Sequence, residues 1–202
     1  MKRLEKHEIR NLKVRLAEWQ PPQIMHALVS DTADFLGLDN LFNQGGLAFL
    51  RDAWIAAEFG VLRNADAVRL VSNEWPDFEV LLGGRIDAFE AVEADDPKRR
   101  RGIEYREGIG EVEDDPVEDW IARAEQAPAW LAATCEKKVS KRYGARASLV
   151  IYLNLSEFGI RQSEVEACFP SATESAKRSF EEIWVLWKKK VYRVWSQSPA
   201  TL

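Results

Sequence analysis

The chain has 202 residues, 46% hydrophobic and 30% charged, with a formal net charge of −5 and a pI of about 5.3. That mixture belongs to a globular protein, and its acidic balance excludes a general nucleic-acid coat drawn to phosphate by an overall positive field. No run reaches the roughly 18 consecutive apolar residues of a membrane helix, and the start MKRLEKHEIR has no apolar stretch behind it; both features predict a cytoplasmic chain without a membrane partner.

Residues 3 to 19 are predicted to be helical, with Leu4, Ile9, Leu12, Leu16 and Trp19 near one side and Pro21-Pro22 ending the helix. A second amphipathic stretch covers roughly 23 to 36. The stretch GGLAFLRDAWIAAEFGVLR then carries Leu47, Leu50, Trp54, Ala57 and Val61 at spacings of three and four, which predicts a helix with that stripe inward. Two short runs follow, AVRLVS at 67 to 72 and FEVLL at 78 to 82, both rich in β-branched and large apolar residues. Gly83-Gly84 makes a turn, and RIDAFEAVEA is the return strand.

The segment from 93 to 116 has charge without periodicity and reads as a loop. Asp115-Pro116 opens a long helix to about Tyr143, closed by Gly144, in which Pro128 is expected to make a kink or a break. ASLVIYLNL, 147 to 155, is a nearly unbroken apolar run, the mark of a central strand covered on both faces. Helix is expected within 163 to 182, and EIWVLWKKKVYRVW reads as a hairpin turning at Lys188 to Lys190. The order predicts an α/β protein with a central mixed sheet flanked by helices. One domain is expected: a helical extension at 1–44, a core at 45–155, and a C-terminal helix and hairpin at 156–202.

Cys135 and Cys168 lack CxxC spacing and lie far in sequence from His7 and His26, which argues against zinc and predicts reduced, packed thiols. Of the eight tryptophans, those in the tail (Trp184, Trp187 and Trp195), together with Tyr192, are expected in the core or at a homodimer surface, with base stacking as the alternative.

The carboxylates of the glycine hairpin carry the chemistry. If Gly83 and Gly84 form a tight turn, Leu82 pairs with Arg85, and counting back along both strands sets Asp77 opposite Glu90. Opposed residues on one face stand about 5 Å apart at Cβ, a spacing that suits one shared cation and makes the two acids repel without it. Neutralising either is therefore expected to leave stability equal or higher.

Here the sequence resembles the PD-(D/E)XK nuclease superfamily, whose fold is restriction-endonuclease-like. Pro76-Asp77 is similar to the PD half of the motif and Glu90-Ala91-Val92 to the (D/E)XK half, over about residues 45 to 155. The resemblance implies phosphodiester hydrolysis of DNA or RNA with Mg or Mn held by Glu58, Asp77 and Glu90. Glu58 stands in for the glutamate that members often carry on the first core helix. The motif lysine is replaced by Val92, so a lysine must reach in from elsewhere or the site is inactive. Lys137, Lys138 and Lys141 are the candidates, with Lys138 taken as the catalytic one; their plainer reading is charge favoured at a helix C-terminus. Lys98, Arg99, Arg100 and Arg101 could hold a backbone phosphate, or be a solvated loop. Glu79 and Glu93 are expected to be supporting or surface residues. The alternative to an enzyme is an inactive protein of the same fold that binds protein or nucleic acid. A purely helical adaptor would require 78 to 94 not to be a hairpin.

Overall fold

In chain order the elements are α1 (Lys6–Leu16), α2 (Pro22–Asn43), α3 (Phe49–Leu62), β1 (Ala67–Leu70), β2 (Phe78–Leu82), β3 (Arg85–Ala94), α4 (Val117–Val139), β4 (Ser148–Leu153), α5 (Gln162–Ala172), a 3-10 turn (Glu174–Arg178), β5 (Glu182–Trp187) and β6 (Lys190–Ser196). They are taken from a computed structural model that describes residues 2–72, 75–97, 117–141, 147–157 and 159–197. The protein is mixed α/β, with strands ordered β1-β2-β3-β4-β5-β6. β4 and β5 are parallel, whereas β1 with β2, β2 with β3, and β5 with β6 are antiparallel. No described helix is long and apolar enough to cross a membrane.

The described residues divide into two compact units, one ending at Phe89 and the other starting at Glu90, a boundary the sequence does not mark. In the first, the glycine turn does what the counting requires. Gly83 and Gly84 take φ of 58° and 80°, a conformation open to residues without Cβ, and the ladder runs from Leu82↔Arg85 to Phe78↔Phe89. α2 is longer than its apolar pattern suggests, because it continues past a non-helical Gly37 at φ 70°.

The stripe expected on α3 is corrected in part. Trp54 and Val61 are only half-buried, while Leu50, Ala53, Ile55, Ala56, Ala57, Phe59 and Gly60 are buried. Small residues let this helix approach its neighbours closely. A Cβ at Gly60 would lie 2.7 Å from Val68 Cγ1 and 2.9 Å from Pro22 Cγ. Phe59 then reaches the rings of Phe78 and Phe89, with centroids 6.1 and 5.0 Å away, and this trio centres the unit's core.

In the second unit β4 is buried along nearly its whole length and lies between β3 and β5, the central position its apolar run predicts. Ala124, Ala127, Leu131 and Cys135 of α4 pack with Leu149, Ile151 and Leu153 of β4, Phe169 of α5, and Ile183 and Val185 of β5. The expected break at Pro128 does not occur. Pro128 is on the exposed side of a helix that runs on through it, where water can satisfy the carbonyl its ring leaves without a donor, and Ala127, Trp130 and Leu131 beside it are buried.

The tail is the expected hairpin. Lys188 and Lys189 both take positive φ, 49° and 54°, the twist a two-residue antiparallel turn requires. Trp187 is buried and its indole N–H donates to the Leu155 carbonyl at 2.9 Å, and Trp184 is buried as well, so these two rings belong to the core.

Candidate functional site

Strand pleating decides where the acids of β3 point. Val92 and Ala94 pack with the core of the second unit, and Glu90, two residues earlier, shares their face. Glu93 lies on the other face, where Asn154 Nδ2 donates to its Oε1 at 2.8 Å. Glu90 is 2% exposed, so its carboxylate has lost bulk water and needs a cation or strong donors.

The cation is Lys138. Its ammonium, in the last turn of α4, makes a short ion pair with Glu90 Oε1, and the lysine itself is only 8% exposed. The helix places it there by phase. Ala124, Ala127, Leu131, Cys135 and Lys138 are separated by three, four, four and three residues, so the lysine continues the stripe that faces the sheet. Lys137 falls off that stripe and Lys141 lies beyond the helix end at Val139, and both are exposed. The negative end of the helix dipole adds to the attraction for an ammonium at this position. Taking two charges out of water costs several kcal/mol per ion, and only close pairing offsets it. Removing either partner alone strands a buried charge.

Beside this pair, burial pushes the Cys135 thiol up to about 12, with the charge of Glu136 adding to it, so the group one turn before Lys138 is an inert packing residue. Cys168 is also a free thiol, raised by burial.

Asp77 immediately precedes β2. Its N–H donates to the Phe89 carbonyl at 3.1 Å and its own carbonyl accepts from Val71 N at 3.0 Å, which fixes the backbone between β1 and β3; the Trp75–Pro76 peptide before it is cis. The ladder's last pair is Phe78↔Phe89, so the counting that puts Asp77 opposite Glu90 runs one step beyond it. Glu58 projects from α3 with its side chain 13% exposed, and its Oε2 lies 3.4 Å from His26 Nε2 on α2. Among the described residues, no three or more His, Cys, Asp or Glu side chains are grouped so as to hold a metal. Lys98, Arg99, Arg100 and Arg101 lie outside the described residues. Glu79 is half-buried and paired with Arg69, its partner across the β1–β2 ladder.

One buried acid escaped the sequence reading. Glu157 is fully buried, accepts from the N–H groups of Gly159 and Arg161 at 2.9 and 2.7 Å, and pairs with Lys188 of the hairpin turn. It ties the loop after β4 to the tip of the β5–β6 hairpin. The signal available was slight: a lone glutamate two residues before a glycine.

The second unit is therefore an α/β layer with a buried glutamate–lysine pair between β3 and the helix that follows it. No family model, curated protein or solved structure matches this chain.

Proposed function

We propose that the chain is a divergent nuclease of the PD-(D/E)XK type, hydrolysing phosphodiester bonds of DNA or RNA, with Lys138 doing the work of the lysine that Val92 replaces. The observation that carries this reading is the buried Glu90–Lys138 pair. A lysine from the next helix reaches the motif glutamate. The element order agrees, since α3, β1, the β2–β3 hairpin, α4 and β4 follow one another as that core requires.

In this reading Lys138 carries a fixed positive charge to the phosphate, where it stabilises the charge that builds on the non-bridging oxygens during in-line attack. In the metal-free protein Glu90 holds the ammonium. Glu90 fits a divalent ion in one respect, that its buried carboxylate already binds a cation. No three His, Cys, Asp or Glu side chains among the described residues are grouped to fit a divalent ion; Glu90 would be the ligand on its own unit, and Mg or Mn when bound would lower the pKa of a water and neutralise phosphate charge. Glu58, which contacts His26, is the weakest of the three proposed ligands.

The test is cleavage of supercoiled, linear and single-stranded DNA and of single-stranded RNA with Mg²⁺ or Mn²⁺. Asp77→Asn and Glu90→Gln should each abolish it. The second reading, an inactive binding module of the same fold, is favoured by the absence of a three-ligand group among the described residues. Retention of an oligonucleotide without cleavage under every condition would select it.

A further inference from the structure

We infer that α1 is a docking surface for the phosphate backbone of a nucleic acid, bound through charge and without regard to base sequence. The surface lies on the first unit and requires neither the Glu90–Lys138 pair nor any cleavage.

Between residues 2 and 16 the chain sets Lys2, Arg3, Lys6, Arg10, Lys13 and Arg15 against only Glu5 and Glu8, although the whole protein carries a net −5. The helix sorts these residues by side. Leu16 is buried and Ile9 and Leu12 are half-buried, whereas Lys6, Arg10 and Lys13, four and three residues apart, are exposed and share another side. Among the described residues none of these three has a carboxylate partner, and Lys13 Nζ stands 5.0 Å from the centre of the Phe49 ring. Arg51, Arg69 and Arg85 of the same unit, by contrast, pair with Asp52, Glu79 and Asp87. The two acids of the segment are engaged at the helix N-terminus, where Glu8 Oε2 accepts from the Glu5 N–H at 2.7 Å and the two residues close a capping box.

Helix stability does not account for all of these cations. Lys13 and Arg15 suit the negative end of the dipole, but Lys2, Arg3 and Lys6 stand at its positive end, where a cation is disfavoured. A polyanion lying along this side would relieve that repulsion and the repulsion between neighbours in the row. An anionic membrane surface would need an apolar helix face turned outward beside the charges. α1 turns its apolar side inward, and Val14 is its exposed large apolar residue. A nucleic-acid backbone needs only cations held in a row, which a helix supplies.

The experiment is fluorescence anisotropy of labelled duplex DNA, single-stranded DNA and single-stranded RNA titrated with the full chain in EDTA, at salt from about 50 to 200 mM. It compares wild type, Lys6→Gln/Arg10→Gln/Lys13→Gln, and Arg178→Gln/Lys189→Gln/Lys190→Gln, which removes the same charge from exposed positions elsewhere. Each phosphate contact adds about 0.9 to the slope of log affinity against log salt on a duplex, so the α1 variant should flatten that slope by about 2 to 3 and weaken binding at least about tenfold. The second triple variant should lose much less. Lys6→Arg/Lys13→Arg keeps the charge and should bind as wild type does. Lys6→Gln/Arg10→Gln gives the same reading at about two thirds of the slope change if the triple variant does not fold. Equal losses in the two triple variants, no binding to any of the three nucleic acids, or sedimentation with phosphatidylserine vesicles in place of nucleic-acid binding would overturn the inference. Cleavage with Mg²⁺ is followed in parallel. Its absence together with binding that depends on α1 would sink the nuclease reading alone, and cleavage by a protein whose binding ignores α1 would sink the inference alone.

Discussion

Lys138→Met removes one charge from a pair whose side chains are 9% and 3% exposed, and takes the ammonium from Glu90 in a site that water scarcely reaches. Breaking a buried pair from one side costs roughly 3–5 kcal/mol, most of it the desolvation of the stranded charge. Methionine fills nearly the same volume, so little of the loss comes from a cavity. Glu90→Gln should cost a comparable amount by stranding the ammonium, which reverses the sign expected if Glu90 were repelled by Asp77 alone. The double variant replaces the ion pair with a neutral amide and a thioether, and should lose only about 1 kcal/mol, because no charge remains to be compensated. The four proteins form a cycle with a coupling energy of a few kcal/mol, measured by urea denaturation followed by tryptophan fluorescence. Additive losses, or a cost below about 1 kcal/mol for Lys138→Met, would refute the claim that the two groups neutralise each other in the interior.

Gly60→Ala should destabilise by about 1–3 kcal/mol in the same assay, since its Cβ would stand 2.7 Å from Val68 Cγ1; a neutral result would mean that α3 sits less tightly on β1 than described. Lys188→Met should cost about 2–3 kcal/mol by leaving the fully buried Glu157 with only its two backbone donors, and an unchanged urea midpoint would show that those donors suffice. Cys135, its thiol pushed up from 9.0 to about 12, should resist iodoacetamide at pH 8 until the protein unfolds, as read by mass spectrometry of the labelled peptides. Because the folded state holds that proton more tightly, the stability it contributes is complete below pH 9 and is lost as pH rises from there toward about 12; Cys135→Ala should flatten that decline, and an unchanged alkaline profile would speak against the burial.

Much of the fold could be read from local pattern. The hairpin register followed from two glycines, because a two-residue turn leaves no freedom in the pairing beyond it, and the central place of β4 followed from a run with no polar face. Of the two outcomes expected at Pro128, a split does not occur, because the buried residues around it keep one continuous helix. The α3 stripe misled because size decided more than hydrophobicity: alanines and a glycine make the closest contacts, while the large Trp54 sits at the margin. The Lys138 ammonium could have been singled out from its neighbours by phase with Leu131 and Cys135, but its partner lies 48 residues away in sequence, and no local rule connects them. Glu157 was hidden for the same reason, its lysine being 31 residues on in a turn.

The central claim is that Lys138 serves as the lysine of a phosphodiesterase site, and comparing Lys138→Ala with Lys137→Ala in a cleavage assay tests it most directly. Both variants lose one positive charge from the same helix turn, but only Lys138 is buried against Glu90. With Mg²⁺ or Mn²⁺ present, wild type and Lys137→Ala should cleave at similar rates, and Lys138→Ala should fall by at least about 100-fold while still binding oligonucleotide. Equal rates for Lys138→Ala and wild type, or no cleavage by wild type on any of the four substrates, would contradict it.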